Sequence, residues 1–457
     1  MTVRIDLNGL LASAVGADGL EAAALDALGP ALLAVRDELR DRRGRGGLGF
    51  AELPYATDAV AKVAAVARET AQAFDTLVVL GIGGSSQGAR VLVRALRADG
   101  GMRVVVSDSI DPAELHALLA SLDLRRTGFN VVSKSGDTAE TMARFLVVRD
   151  RLLRELGAVD YKRHLVVTTE AQRGSLRQIV NDEGFRALAV PPDVDARFCL
   201  LGAPGLFPAA CAGVDVEELL AGAACADERM AEADGPLADP ALALAGTLVT
   251  LAASRGKRIL VAMPYADRLA ALADWFCECW NESLAKAVDR EGRPVEIGQT
   301  AVRARGSADQ HSHLQCYLEG PRDKVVLFLR VEDHGEALDI PAAYQDIEEV
   351  GCLGGNALGA LLNGEQQATE LALARRGRPS AAIVLPAVNA FTVGQLVYLL
   401  EWATAAGALL TRVEPFGQPA IDDVKQYTFG LLGRPGFEAR RAEIEAWVAG
   451  KDPRFVL

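Results

Sequence analysis

The stretch NVVSKSGDTAET, residues 130–141, joins an apolar run to a long helical pattern, and it decides the fold prediction. The same transition follows the apolar run TLVVLGIGG, and further short strands are predicted at MRVVVSD, RHLVVTTE and FRALAVP. A second alternation of strands and helices includes the strands KRILVAMPY, KVVLFLRVE and SAAIVLPA. Strands that alternate with helices are typical of parallel sheets with helices on both faces. The sequence therefore predicts an α/β protein with two three-layer sandwiches and additional terminal helices.

Composition and charge narrow the class of protein. Half of the 457 residues are hydrophobic and the formal net charge is −13, which argues against nucleic-acid or membrane partners. The seven cysteines form no CxxC pair, so we expect free buried thiols in a reducing compartment. The N-terminal segment carries acids unlike a signal peptide, and no apolar run approaches the ~18 residues of a membrane span. A soluble, cytoplasmic protein is expected.

The hydroxyl-rich turn of residues 133–138 allows two interpretations. Asp137 followed by Glu140 fits a capping box, but that leaves Ser133 and Ser135 unexplained. Hydroxyl donors beside the unpaired N–H groups of a helix N-terminus would instead form a phosphate cradle, to which Thr138 also belongs. We therefore expect a phosphate monoester to bind at this turn.

A glycine turn, LGIGGSSQGA, lies at the end of an earlier strand and has its own alternatives. A dinucleotide fingerprint would need a third glycine where Ser86 stands, and a phosphate-binding P-loop would need a lysine after Gly88. The remaining interpretations are tight helix packing or the delivery of Ser85 to the mouth of a parallel sheet. Parallel strands would bring Ser85 and the hydroxyl-rich turn to the same edge.

The segment WNESLAKA places Glu282 among apolar residues of a predicted helix. Such surroundings disfavour the charged form of a carboxylate, as suits a general base. The alternative is a surface glutamate paired with Lys286 four residues later. The local pattern alone leaves both open.

Two further segments carry candidate polar residues. In RGSADQHSHLQ, His311 and His313 together with Asp309 would make only a partial metal site, so an acid–base or a structural histidine is expected ahead of a metal ligand. EPFGQPAIDDVKQY holds Gln418 in a turn between prolines and Lys425 on the next helix, where a solvated lysine is the alternative. None of these patterns is specific when taken alone.

Six segments taken together resemble one family, and they occur in that family's order. The chain resembles glucose-6-phosphate isomerases (the phosphoglucose isomerase family) of the short bacterial type. The segments are GIGGSSQGA, SKSGDTAET, ARFCLLGAPGLFPAA, WNESLAKA, GSADQHSHLQCYLEGP and EPFGQPAIDDVK. The resemblance implies two sugar-isomerase (SIS) sandwich domains, no metal or organic cofactor, and interconversion of glucose 6-phosphate and fructose 6-phosphate through a cis-enediolate.

The resemblance also implies a domain layout and a set of site residues. We expect a helical arm at residues 1–45, SIS domains at 46–215 and 216–408, and C-terminal helices at 409–457. Glu282 resembles the base between C1 and C2, Arg197 the cation beside the enediolate, and His311 the ring-opening acid assisted by Lys425. The substrate-binding residues implied by the resemblance are Gly84, Ser85, Ser133, Lys134, Ser135, Thr138 and Gln418.

The family further implies a homodimer in which His311 is lent across the interface. The chain departs from the family pattern at Glu278, where a glutamine is usual, and at Ala285, where a glycine is usual. A carboxylate beside a phosphate would repel it unless it were protonated or turned away. The rival functions are a non-catalytic sugar-phosphate sensor, an isomerase that also accepts mannose 6-phosphate, and a dehydrogenase, which the broken glycine fingerprint disfavours.

Overall fold

The computed structural model describes residues 1–457 and confirms an α/β protein with parallel sheets. Its strands are β1 Arg4–Asp6, β2 Thr76–Leu80, β3 Arg103–Ser107, β4 Thr127–Val132, β5 Leu165–Glu170, β6 Arg186–Val190, β7 Ile259–Pro264, β8 Lys286–Val288, β9 Pro294–Ile297, β10 Thr300–Arg303, β11 Lys324–Asp333 and β12 Ser380–Ala387. Its helices are α1 Ala12–Val15, α2 Ala22–Asp26, α3 Gly29–Gly44, α4 Thr57–Ala73, α5 Gly84–Leu96, α6 Pro112–Ala120, α7 Ala139–Asp160, α8 Ser175–Glu183, α9 Ala203–Cys211, α10 Val216–Ala231, α11 Pro240–Arg255, α12 Ala270–Leu284, α13 Leu314–Glu319, α14 Glu348–Gly351, α15 Leu358–Arg375, α16 Ala390–Leu410, α17 Pro419–Leu431 and α18 Glu438–Ala449.

The chain forms two compact units, Met1–Pro415 and Phe416–Leu457. The first unit contains every strand, and the second consists mainly of α17 and α18. Both large sheets therefore belong to one compact unit. The predicted boundary between sandwich domains at residues 215 and 216 stays a prediction.

The first sheet has the strand order β3-β2-β4-β5-β6, and all of its pairs are parallel. Strands β4 and β5 are buried along their whole length, because helices cover both faces of the sheet. One face packs on α7 and α8 through an apolar cluster that includes Phe129, Phe145 and Leu176. This packing fixes the carboxyl ends of β2 and β4, where the predicted phosphate cradle begins.

The second sheet has the order β1-β12-β11-β7-β10 and is parallel except at β1. The predicted helical arm of residues 1–45 therefore begins with a strand, which pairs antiparallel with β12. Next to this strand, Val3 is 1% exposed and its N–H donates to Gln395 Oε1 at 3.2 Å. The sequence did not indicate this strand, because it is only three residues long and a tertiary partner supplies its hydrogen bonds.

Helix α16 corrects the expectation that no apolar run approaches the length of a membrane span. Its 21 residues have a mean hydropathy of 1.3, and 89% of its most apolar window is buried inside the protein. It packs against α10, α11 and α12, and Asn389 with Thr392 forms a capping box at its start. A helix that is apolar on all sides suits this central position in a protein core.

The thiols match the expectation only in part. All seven cysteines are free, and Cys199, Cys211, Cys277 and Cys279 are buried as predicted. Cys225 is partly exposed, and Cys316 and Cys352 are exposed. These two exposed cysteines flank β11 in sequence, in segments where the chain leaves the sheet.

Candidate active site

The two predicted substrate-binding turns lie at the same edge of the first sheet. Leu80 at the end of β2 is paired with Val131 near the end of β4. Helices α5 and α7 begin a few residues after these strands, at Gly84 and Ala139. Their N-termini therefore lie side by side, where unpaired N–H groups favour an anion.

The hydroxyls of the second turn form a local network. Ser133 is 1% exposed, and its Oγ lies 3.1 Å from Thr138 Oγ1 and accepts a hydrogen bond from Gly136 N at 3.1 Å. Ser135 Oγ accepts from Asp137 N at 3.3 Å. The hydroxyls thus hold the turn in shape.

The capping-box interpretation of this turn is wrong. Thr138 occupies the N-cap of α7, and no side chain caps the helix there. Asp137 instead accepts a hydrogen bond from Ser175 Oγ at the start of α8. Because no side chain occupies the first-turn N–H groups of α7, they remain available to an anion.

Lys134 connects this turn to the segment of residues 192–197. Its Nζ donates to Pro192 O at 2.8 Å and to Val194 O at 2.7 Å. The ammonium group therefore positions the segment that leads to Arg197. Direct binding of the substrate by Lys134 stays a prediction.

Gly84 brings the first turn against the same segment. A Cβ atom added to Gly84 would lie 2.6 Å from Ala196 C and 2.6 Å from Arg197 N. Only a residue without a side chain allows α5 to begin so close to this backbone. Both predicted substrate-binding turns thus contact the residues around Arg197.

Arg197 and Glu282 are in direct contact, although 85 positions separate them in the sequence. Arg197 Nη1 donates to Glu282 Oε2 at 3.1 Å and lies 3.1 Å from Asp195 Oδ1. Its Nη2 donates to Pro415 O at 2.8 Å, and the side chain is only 1% exposed. Two carboxylates and a carbonyl thus compensate a buried guanidinium, which makes it a fixed positive charge.

Helix α12 positions Glu282 from the other side. Trp275 Nε1 on this helix donates to Arg197 O at 2.8 Å, and Ser283 Oγ accepts from Arg197 Nε at 3.3 Å. The Glu282 side chain is 29% exposed, so its carboxylate is reachable from solvent and is not enclosed among apolar residues as expected. The alternative interpretation was an ion pair between the side chains of Glu282 and Lys286. Lys286 Nζ instead donates to the backbone carbonyl of Glu282 at 2.8 Å. Burial, with the charge of Arg197, lowers the pKa of Lys286.

His311 ends a short 3-10 helix, Ala308–His311, and its side chain is exposed. It forms no hydrogen bond within the chain, whereas its neighbour Gln310 donates to Tyr265 Oη at 2.6 Å and to Thr369 Oγ1 at 2.9 Å. The loop is therefore anchored while the imidazole faces outward. His313 Nδ1 lies 4.0 Å from Asp309 Oδ2, and no group of three or more potential ligands is arranged to hold a metal ion.

Gln418 and Lys425 belong to the second compact unit. Gln418 occupies the N-cap of α17, where its carbonyl accepts from Ile421 N at 3.2 Å. Lys425 is exposed on the same helix, and its Nζ lies 3.5 Å from Asp422 Oδ1. Their roles in catalysis and substrate binding stay predictions.

Sequence reasoning missed Arg144, which binds the edge of the sheet from α7. Its Nη2 donates to Gly81 O at 3.0 Å, its Nη1 donates to Ser107 O, and the residue is 1% exposed. Burial lowers the pKa of this guanidinium, against the charges of Asp108 and Glu140. An arginine on a helix normally indicates a solvated face, so no sequence signal marked it. Asp195, which lies 3.1 Å from Arg197 Nη1, was also missed.

Comparison with known proteins gives a consistent result. The sequence model described as phosphoglucose isomerase matches residues 58–331. A glucose-6-phosphate isomerase of Carboxydothermus hydrogenoformans is 38% identical over 468 aligned positions, covering 100% of both chains. A glucose-6-phosphate isomerase of Rubrobacter xylanophilus is 42% identical over 400 positions, covering 86% of this chain and 90% of that protein.

Solved structures agree with these sequence comparisons. A hypothetical protein from Thermus thermophilus superposes with a TM-score of 0.86 at 37% identity, covering 94% of this chain and 100% of that one. A glucose-6-phosphate isomerase from Chlamydia trachomatis superposes with a TM-score of 0.76 at 22% identity, covering 86% and 77%. The second likeness supports the fold alone.

Proposed function

Since the chain belongs to the phosphoglucose isomerase family, we propose that it interconverts glucose 6-phosphate and fructose 6-phosphate. Membership of the family rests on the match to the family model and on relatives that align over nearly the whole chain. One observation carries the proposal at the level of residues. Segment 192–197 contacts both turns that we propose to bind the phosphate, and it presents Arg197 to Glu282 at 3.1 Å. A site for a phosphate group and a carboxylate–guanidinium pair are thus joined by a single stretch of backbone.

The proposed reaction uses these groups in sequence. The phosphate binds at the N-termini of α5 and α7, near Ser85, Ser133, Ser135 and Thr138. After ring opening, Glu282 moves a proton between C2 and C1, acting first as a base and then as an acid. The negative charge that develops on the cis-enediolate is stabilised by the guanidinium of Arg197. A preorganised donor of this kind lowers the barrier by about 3–4 kcal/mol.

The decisive experiment is a coupled assay with Glu282→Gln. We expect kcat to fall by about 10²–10⁴-fold with a small change in KM, because the amide keeps the shape of the side chain but cannot accept the proton. Glu217→Gln, at an exposed position of α10, is the matched control and should behave as wild type. Binding without turnover by the unmodified chain would instead indicate a sugar-phosphate sensor. A mannose 6-phosphate assay tests the broader isomerase.

We further propose that the chain acts as a homodimer in which His311 serves the partner's site as the ring-opening acid. The imidazole is exposed and forms no hydrogen bond within its own chain, and Gln310 connects its loop to α15. Helix α15 and the segment before it expose large apolar side chains, as surfaces that contact other proteins do. These side chains are Leu338, Tyr344, Ile347, Val350, Leu353, Leu358 and Leu361.

Mixing two inactive variants tests the shared site. Glu282→Gln and His311→Ala leave one intact site in a mixed dimer, so activity should return on subunit exchange. Mixing two preparations of the same variant is the control. If the two variants carry different affinity tags and co-purify, which shows subunit exchange, and activity stays absent, each chain supplies its own histidine.

A further inference from the structure

Glu278 lies where its side chain reaches the start of α5. It precedes Glu282 by one turn of α12, so both side chains lie on the same helical face. A Cβ atom added to Gly83, the N-cap residue of α5, would lie 3.4 Å from Glu278 Oε1. The carboxyl group therefore lies at a helix N-terminus that we propose as a binding site for the substrate phosphate.

The side-chain amide of Gln87 on α5 acts on this carboxyl group and favours its ionised form. Its Oε1 is buried and has no hydrogen-bond partner. An amide can donate to a carboxylate through its nitrogen, and it can accept from a carboxylic acid through its oxygen. As placed, the Gln87 amide favours the ionised form of Glu278, and its oxygen is left without a partner.

The charged groups that act on Glu278 are Arg90 from α5, Arg197 and Glu282. The other elements packed against α12 are β7, β10, α16 and a 3-10 turn at Asp267–Leu269. Strand β7 has no ionisable side chain, and the ionisable groups of the rest are bonded elsewhere, exposed or fully buried. On β10, Arg303 donates to Asp274. In the 3-10 turn, Asp267 lies 3.8 Å from Arg305 and Arg268 is exposed. On α16, Tyr398 donates to Ala51 O and Glu401 is fully buried.

We propose that Glu278 is a proton-dependent residue of the phosphate site, which admits the sugar phosphate when its carboxyl group is neutral and repels it when ionised. This inference rests on the proposed function, because that function places the phosphate at α5. A neutral acid can donate a hydrogen bond to a phosphate oxygen, whereas a carboxylate beside the dianion adds a repulsive charge. Substrate affinity should therefore fall as the pH rises.

The pH range follows from the surroundings of the group. Burial, with the charge of Glu282, raises the pKa of Glu278 to about 7, against the effect of the Gln87 amide and the charges of Arg197 and Arg90. One pH unit above its pKa, a group is only about one-tenth protonated. At pH 8 the chain would thus bind the sugar phosphate up to about tenfold more weakly than below pH 6.

Kinetics of Glu278→Gln against wild type test this directly. The ratio of wild-type KM to variant KM should be near one at pH 6 and rise to about tenfold at pH 8. Both proteins are measured at the same pH, so the ionisation of the substrate cancels from the ratio. A ratio that does not change with pH, or a variant with the higher KM throughout, overturns the proposal. Glu217→Gln, which changes the net charge equally at a distant surface, should give a ratio of one.

Calorimetry separates this inference from the proposed function. Sorbitol 6-phosphate has the phosphate but no carbonyl, so its binding is measured without turnover. At pH 8, in two buffers of different ionisation enthalpy, wild type should take up about one proton per site and Glu278→Gln none. Binding without proton uptake overturns the inference even if the isomerase assay succeeds. Failure of the isomerase assay alone would leave the binding result intact and would overturn only the proposed reaction.

Gln87→Met tests the proposal independently through the pH dependence of KM, which a purely structural role of Gln87 would not change. It removes the amide that favours the ionised form of Glu278. The rise of KM should therefore begin at a higher pH than in wild type. An unchanged profile in a folded variant counts against the proposal.

Discussion

Substituting Gly84 by alanine perturbs the site through the backbone and changes no charge. The added Cβ would meet Ala196 C and Arg197 N at 2.6 Å and Ala196 O at 2.8 Å. Carbon atoms in contact are normally about 3.5–4 Å apart, so α5 and the turn of Arg197 must separate by about 1 Å. These are backbone atoms, which no change of rotamer can move.

The effect on activity should exceed the effect on stability. Overpacking costs about 1–3 kcal/mol, and the better helix propensity of alanine offsets up to about 1 kcal/mol of it. A displacement of about 1 Å at a group that positions the reaction can lower the rate by about 10²-fold. Since Arg197 Nη1 lies 3.1 Å from Glu282, such a displacement would disturb this contact.

The assay measures kcat for glucose 6-phosphate together with the midpoint of urea unfolding. Gly44→Ala is the matched control, because Gly44 is an exposed residue of α3 with no atom within 4 Å of an added Cβ. It should be slightly stabilised and fully active. Full activity of Gly84→Ala at normal stability would refute the idea that this glycine sets the position of Arg197.

Two further predictions concern stability. Arg144→Met should lower the free energy of unfolding by about 2–4 kcal/mol, because Gly81 O and Ser107 O lose a charged donor. Urea unfolding measures this difference, and a loss below about 1 kcal/mol would contradict the prediction. Asp239 caps α11 through Ala241 N and Leu242 N, and burial raises the pKa of its carboxyl from 3.8 to about 6 despite these two bonds. Its stabilising contribution is thus complete below about pH 4 and is lost as the pH rises through 6. Asp239→Asn, which keeps a cap, should therefore be more stable than wild type by about 2–3 kcal/mol at pH 8 and equal to it near pH 4. Parallel curves of unfolding free energy against pH for the two proteins would contradict this.

Much of the fold follows from local pattern. The apolar runs that become β2, β4 and β5 are buried on both sides, so their composition alone indicated a parallel sheet. The short strands β1 and β10 escaped detection, since three or four residues give no periodicity and the partner strands supply their hydrogen bonds. The capping box at Asp137 was wrong because Ser175, distant in sequence, competes for that carboxylate.

Part of the candidate site was also predictable. A turn rich in hydroxyls at the start of a helix indicated an anion site from residues 133–138 alone, and parallel pairing brought Ser85 to the same edge. The environment of Glu282 was not predictable, since a helical pattern cannot reveal that Arg197 reaches its carboxylate. The surroundings of Glu278 also depend on α5 from the other half of the chain.

The sequence by itself determined which segments become strands and helices and predicted where an anion would bind, because periodicity, turn residues and helix termini act over a few neighbouring positions. Tertiary structure alone decided which charges meet. The contact of Arg197 with Glu282, the bonds of Lys134 to Pro192 and Val194, and the position of Glu278 beside Gly83 each join residues far apart in the chain. Electrostatic interactions depend on distance in space and on burial, and both are fixed only when the helices pack.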